Sequence, residues 1–389
     1  MRKILLGTTA VAGAAFLAVS TAQAQQAPQV RVGGFMLNSI NIVDDDADSR
    51  AVTSGTRSSD AASTDFRTEL EVQVFVTGKA ANGLSYGAVI ELQNDAFGGS
   101  GAGTGIDTDE AYVFLSSPTL GSIRFGEEDS AASLLQVRVP TISGMGPDGD
   151  FDDNLRGGAI SLLTGINDGS DATKIVYLSP QFFGFDFGIS FAPNTGEGER
   201  NVLATAGALQ RDRSTLENEL ALALRYRGTF GGVGVSAGFG YMQADPAFAA
   251  QTTSQDIQAY TAGLNLAAFG FTVGGEYTWG KYSGSAGRNV VANGFDNSSH
   301  WVLGATYTTG ALAVGAFYGA AEQDRGGTLR DREQTVWGIG AAYTLAPGLE
   351  LIASYNQVED KNIPAAVGTV AAGGTRDVNV FFLGTRIAF

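Results

Sequence analysis

The sequence predicts an all-β fold, a transmembrane antiparallel β-barrel of about 16 strands. Apolar and polar residues alternate along many segments, short and long connectors alternate between those segments, and the chain ends inside such a segment. Alternation with a period of two places one class of side chain on each face of a strand. Long strands with one apolar and one charged face are typical of a barrel between lipid and water.

Two segments show the alternation clearly. In residues 65–76 one face is apolar and the other is charged, through residues such as Arg67 and Glu69. In residues 216–227 leucines occupy one face and charged residues such as Arg225 occupy the other. A helix would spread these charges around its circumference, so the pattern favours strands.

Continuing this pattern along the chain predicts sixteen strands, at 29–43, 64–79, 84–95, 108–117, 121–128, 172–179, 184–194, 216–230, 232–245, 255–268, 270–282, 298–309, 311–322, 331–346, 348–360 and 376–389. Tight turns alternate with long loops rich in Gly and Asp, as in outer-membrane barrels. The longest loop is 129–171. The alternation leaves the faces of strands 108–117 and 172–179 undecided.

The C-terminal segment is an amphipathic strand that runs to the last residue. Phe389, Ile387 and Leu383 share one face, and Arg386 and Gly384 share the other. We therefore expect the last strand to pair with the first and close the barrel.

The N-terminal segment predicts a cleaved signal peptide. Two basic residues precede an uncharged run at 4–18, and Ala-Gln-Ala at 22–24 fits a cleavage site. The alternative, a membrane-anchor helix, needs about 20 apolar residues. We expect residues 1–24 to be removed and residues 25–389 to form a single barrel domain.

The composition limits partners and chemistry. Lys and Arg number 24 and Asp and Glu 40, so the net charge is −16, or −18 without the two basic residues of the leader. Nucleic acid is excluded as a partner because phosphate contacts need a basic face. There is no Cys, hence no disulfide. A net acidic channel would concentrate cations, although outer loops can hold much of the charge.

Three short motifs carry a family resemblance. Residues 177–185 read Tyr-Leu-Ser-Pro-Gln-Phe-Phe-Gly-Phe, residues 111–115 read Ala-Tyr-Val-Phe-Leu, and residues 121–126 read Gly-Ser-Ile-Arg-Phe-Gly. The first is similar to a hairpin of Gram-negative general diffusion porins that follows the long third loop, and the other two resemble the strands before that loop. The extracellular loops match no pattern of the family.

The resemblance implies a 16-stranded homotrimeric barrel in the outer membrane of a Gram-negative bacterium, with the long third loop folded into the pore. It also implies contacts with outer-membrane lipid and lipopolysaccharide, and a terminal Phe389 read by the barrel-insertion machinery. The implied function is passive diffusion of small hydrophilic solutes and ions, with no catalysis and no required cofactor.

The candidate constriction is loop 129–171, which carries four carboxylates at Asp148, Asp150, Asp152 and Asp153. The alternative is a solvated outer loop. The resemblance implies an opposing basic wall, for which the candidates are Arg31, Arg67, Arg124, Arg225 and Arg227. The alternative for these arginines is salt bridges along the lumen wall, with Glu69 or Glu71.

Two smaller predictions concern aromatics and calcium. Trp279 and Trp301 flank one long loop and are candidates for an aromatic girdle at the outer lipid–water boundary, or else ordinary packing residues. Asp148, Asp150 and Asp152 have a spacing that suits calcium. The EF-hand pattern fails because its Gly and Glu positions hold other residues.

The prediction from these patterns is a diffusion channel that prefers cations. The nearest alternative is a selective channel for sugars or organic anions, and further alternatives are an adhesin barrel and a soluble secreted β-protein. His300 with Ser298 on the same face would be the residues of a hydrolase, but a lone His at a strand end is weak evidence.

Overall fold

The computed structural model describes residues 26–48, 52–53, 56–57, 63–94, 107–147, 149–155, 162–167, 171–195, 216–247, 253–284, 291–295, 297–327, 329–367 and 370–389. They form one closed barrel of sixteen strands: β1 Gln26–Asp45, β2 Thr64–Lys79, β3 Ser85–Gln93, β4 Asp107–Ser117, β5 Gly121–Glu127, β6 Thr173–Leu178, β7 Phe185–Asn194, β8 Leu216–Phe230, β9 Val233–Pro246, β10 Ile257–Ala268, β11 Phe271–Lys281, β12 Ser298–Thr309, β13 Leu312–Gln323, β14 Arg332–Ala346, β15 Leu349–Lys361 and β16 Thr375–Ala388. The predicted fold class is confirmed.

The last strand closes on the first, as predicted. Strands β1 and β16 are antiparallel, with Leu37 opposite Arg386 and Ile40 opposite Leu383. At the end of the seam, the Gly34 N–H donates to the Phe389 carbonyl at 3.1 Å, and the Phe389 N–H donates back at 3.0 Å. Every barrel strand therefore has two neighbours, which removes the free sheet edge.

The two faces of the barrel differ as the alternation predicts, with apolar side chains exposed on the outside. The structure also assigns the two strands whose faces the sequence left open. In β4, Tyr112 and Phe114 point inward while Val113 is exposed. In β6, Lys174 points inward and Ile175 is exposed.

The described residues of loop 129–171 lie inside the barrel and form an inner layer. It contains a short helix, α1 at Ala131–Leu134, and a 3₁₀ turn at Asp152–Asn154. Farther along, Ile142 and Phe151 pack in one buried cluster with the wall residues Val302 and Val336. The inward fold that the resemblance implied is present.

Glycines in the wall make room for this layer. An ideal Cβ at Gly263 would lie 1.9 Å from the Val137 carbonyl oxygen, and one at Gly304 would lie 2.6 Å from the Pro140 carbonyl oxygen. A side chain at either position would collide with the backbone of the loop. The loop can lie flat against β10 and β12 only because these positions lack side chains.

Aromatic side chains line the outer surface near the long loops. Trp279 stacks on Tyr260 at 5.5 Å, and Trp301 packs on Tyr318 at 5.6 Å. Both tryptophans face outward, and their role as a membrane girdle stays a prediction.

No helix of the described ranges is long and apolar enough to cross a membrane. The predicted signal peptide lies outside the described residues.

Candidate pore constriction

The loop lies on the wall as an extended segment after α1. Leu135, Val137 and Val139 are buried, whereas the intervening Gln136 and Arg138 are only partly buried. The alternation is that of a strand, with its apolar face on the wall. Its polar face is therefore turned toward the pore.

Hydrogen bonds from wall side chains to two backbone carbonyls help to fix the loop to the wall. Asn265 Nδ2 donates to the Arg138 carbonyl at 2.8 Å. Ser354 Oγ and Asn356 Nδ2 both donate to the Gly144 carbonyl, at 2.5 and 3.2 Å. These bonds satisfy carbonyl groups that have no partner within a helix or sheet of the loop.

One predicted acid and one predicted base form an ion pair, Asp153 in the loop and Arg67 on β2. Arg67 Nη2 lies 2.7 Å from Asp153 Oδ2, with the Asp153 side chain fully buried. Asp152 is buried beside it. Asp148 lies outside the described residues.

The other predicted arginines of β5 and β8 pair with wall acids. Arg124 Nη1 lies 3.0 Å from Glu128 Oε2. Arg225 and Arg227 share the Asp186 carboxylate, at 2.6 and 3.0 Å. This is the salt-bridge alternative, although the partners are Glu128 and Asp186, whereas the sequence suggested Glu69 or Glu71. Function for these arginines in the pore stays a prediction.

Arg31 lies near the short-turn end of the lumen and packs over an aromatic ring. Its guanidinium carbon is 4.1 Å from the centroid of Phe75. The side chain is exposed, so it remains available to the lumen.

A cavity of about 460 Å³ separates the loop from the β1, β2, β11 and β16 wall. Its charged lining consists of four carboxylates and two guanidinium groups: Glu69, Asp129, Asp150, Glu276, Arg138 and Arg386. Only Asp150 is a predicted site residue. Alternation along β11 and β16 places Glu276 and Arg386 on the inward face, so the sequence contained a signal for these two residues. No sequence pattern indicated Asp129 or Arg138.

Asp150 is the predicted loop acid that lines this cavity. Burial raises the pKa of the Asp150 carboxyl above its ordinary value, while the positive charges of Arg386 and Arg67 act in the opposite direction. The net shift is upward, so Asp150 takes up a proton at a higher pH than a solvated aspartate.

The calcium prediction stays open to test. No group of three or more His, Asp or Glu residues suited to a metal ion occurs among the described residues. Asp148, a member of the predicted set, is not among them. The ion pair of Asp153 with Arg67 already accounts for one neighbouring carboxylate.

Comparison with known families gives a match over nearly the whole chain. The family model for Gram-negative porins matches residues 7–363. The chain therefore belongs to the Gram-negative porin family. Together with the closed barrel, this defines an outer-membrane β-barrel channel. Comparison with curated protein sequences found no match.

Solved structures share the fold at low identity. The anion-selective porin of Comamonas acidovorans has a TM-score of 0.60 and 17% identity, covering 93% of this chain and 100% of its own. Outer-membrane OmpT of Vibrio cholerae has a TM-score of 0.60 and 14% identity, covering 95% and 100%. The outer-membrane channel DcaP of Acinetobacter baumannii has a TM-score of 0.59 and 13% identity, covering 93% and 97%.

Proposed function

We propose that this porin conducts small hydrophilic solutes and ions by passive diffusion, with a preference for cations. The observation that carries the preference is the lining of the constriction cavity, where four carboxylates outnumber two guanidinium groups among the described residues. Fixed charges in a narrow aqueous path raise the local concentration of ions of opposite sign. The inner layer supplies size exclusion by narrowing the lumen.

The similarity to an anion-selective porin supports the fold and leaves the sign of selectivity open. At 17% identity, the two chains need not share lining charges. A sugar channel would expose aromatic faces along the lumen. Here the lumen-facing rings of Phe35 and Phe75 are each covered by an arginine, Arg386 and Arg31.

The proposal includes a homotrimer. On the outer surface, a groove of about 680 Å³ crosses β1, β2 and β14–β16 and contains the small residues Ala341 and Ala353. Within it, Thr68 Oγ1 donates to Asn38 Oδ1 at 2.8 Å. Polar side chains at a lipid-facing position are costly, so a neighbouring subunit is a better cover than lipid. One Vibrio cholerae OmpT structure is described as a trimer form.

The oligomeric state is tested by chemical crosslinking and native mass spectrometry of protein extracted in mild detergent. We expect a trimer that dissociates when Asn38 and Thr68 are both replaced by Lys, with no change after the matched double replacement at Leu264 and Leu266, on the opposite wall. Monomers alone in wild-type protein would contradict this part of the proposal.

Membrane partners complete the proposal. Phe389 is exposed at the seam of the barrel, where the insertion machinery can reach it. Outer-membrane lipid and lipopolysaccharide would surround the exposed apolar bands.

The channel function is tested by planar-bilayer recording and liposome swelling with neutral sugars of increasing size. We expect stepwise ohmic currents and swelling rates that fall steeply with solute size. Folded, membrane-inserted protein that gives neither steps nor swelling would contradict the proposed function. Equal swelling with small and large sugars would contradict the constriction.

A further inference from the structure

One arginine of the constriction cavity, Arg386, forms no ion pair with any carboxylate among the described residues. Within the part of the chain that the structure describes, Arg386 forms no hydrogen bond and no ion pair. Its guanidinium group packs over the ring of Phe35, whose centroid lies 4.2 Å from the guanidinium carbon. Six other described lumen arginines pair with acids, namely Arg67, Arg124, Arg225, Arg227, Arg332 and Arg376.

The stacked arrangement leaves Arg386 able to bind an anion. A guanidinium group that packs over an aromatic ring uses its face, while its N–H donors point outward in the plane of the group. These donors form a fork that matches a carboxylate. Phe35 packs against Leu37 and Phe382, which holds the ring in place beneath the guanidinium group.

The same cavity presents acids and an apolar surface. Asp150 lies close enough for its titration to be affected by the charge of Arg386, and Glu69 lines the cavity on the neighbouring strand β2. Leu37 and Ile142 add apolar surface. Groups of both charge signs and an apolar wall therefore surround one space of about 460 Å³.

We propose that this cavity is a binding site for small zwitterionic solutes of the amino-acid class. Arg386 binds the carboxylate, Asp150 and Glu69 attract the ammonium group, and the apolar wall accommodates an aliphatic side chain. The site deepens the proposed function and rests on it, because a solute that crosses the pore must pass this cavity.

The test compares three probes that share one carbon skeleton. Leucine carries both charges, 4-methylpentanoate lacks the ammonium group, and leucinamide lacks the carboxylate. Saturation-transfer NMR on detergent-folded protein measures the affinity of each probe without requiring conductance. We expect leucine to bind about tenfold more tightly than either single-charge analogue, as the loss of one charge-assisted hydrogen bond predicts.

Variants identify the residues responsible. Arg386→Gln should lower leucine affinity about tenfold and leave leucinamide affinity unchanged. Asp150→Asn should lower leucine affinity and leave 4-methylpentanoate unchanged. The matched control is Arg332→Gln, which removes a lumen arginine already paired with Asp360 and should leave all three affinities within twofold.

The outcomes separate this site from the channel function. Equal affinities for the three probes, or equal loss of leucine binding in Arg386→Gln and Arg332→Gln, would overturn the site while bilayer conductance still supports the channel. Leucine binding without channel steps would overturn the proposed channel function and leave the binding site standing. Should Arg386→Gln fail to fold, Asp150→Asn alone decides, and unchanged leucine affinity in it would overturn the site.

Discussion

Asp153 is a loop acid that forms an ion pair with the barrel wall. Its side chain is fully buried, and Arg67 on β2 lies 2.7 Å away. A buried carboxylate without its partner retains the cost of lost hydration. The pair therefore stabilises the inward position of the loop as long as both members are present.

Replacing Arg67 by Gln should destabilise the folded barrel by about 3 kcal/mol, because Asp153 is left buried and unneutralised. Urea unfolding in detergent micelles measures the change. The control is Lys361→Ala, which removes an ion pair between two partly exposed residues, Lys361 and Glu359, and should leave stability nearly unchanged. Equal stability of Arg67→Gln and wild-type protein would contradict an anchoring role.

At the scale of elements, the loop fits against the wall because certain wall positions are glycines and have no side chain. The Val137 carbonyl occupies the space that a Cβ at Gly263 would need. The sixteen strands follow from local alternation, which the sequence displays. The path of the loop depends on which glycines face inward at matching heights on different strands, which no local pattern reveals.

Gly263→Val should push the loop toward the pore axis, because backbone and side chain cannot share one position. We expect lower single-channel conductance with the barrel still formed, as judged by circular dichroism. The matched control is Gly234→Ala on β9, where the nearest atoms to an ideal Cβ are 3.6 Å away. A conductance loss as large in the control would show that any added side chain perturbs the pore.

At the scale of the molecule, the proposed cation preference depends on the charges around one cavity. Burial raises the pKa of Asp150, so acidification neutralises this carboxylate above the pH of about 4 at which a solvated aspartate titrates. Protonation removes negative charge, and cation preference should decline as the pH falls toward that range. The loss is expected to be smaller in Asp150→Asn, which lacks the titrating group.

Reversal potentials recorded between pH 7 and pH 4 check this dependence. A wild-type profile that is flat over the whole interval would contradict the assignment of Asp150 to the conducting path. An equally steep profile in Asp150→Asn would place the titration on another group.

The sequence predicts the barrel more completely than the constriction. Closure of β16 on β1, the strand count and the lumen parity of Arg67 follow from alternation, and the structure agrees. The arginines of β5 and β8, predicted as pore wall, form ion pairs with Glu128 and Asp186, and their role in the pore stays a prediction. The pairing of Arg225 with Asp186 depends on the register of β8 against β7, which the sequence does not fix, whereas Arg124 pairs with Glu128 four residues farther along its own segment.

The cavity lining shows the same limit. Arg386 has the predicted lumen parity. Its availability to a solute depends on its having no ion pair with the described carboxylates, which only the three-dimensional structure reveals. Arg138 lies in the loop and faces the pore because Val137 and Val139 face the wall. The charge composition of the chain therefore predicted an acidic channel, but it did not identify most of the charged residues that line the cavity.

The reversal potential of single channels under a KCl gradient is the most direct measurement of cation preference in this pore. A cation-selective potential that weakens in the combined variant Asp150→Asn, Glu69→Gln is the result we predict, because these carboxylates line the cavity proposed as the constriction. An anion-selective potential in wild-type protein, or a cation-selective one unchanged in the variant, would contradict an acidic constriction that sets ion preference.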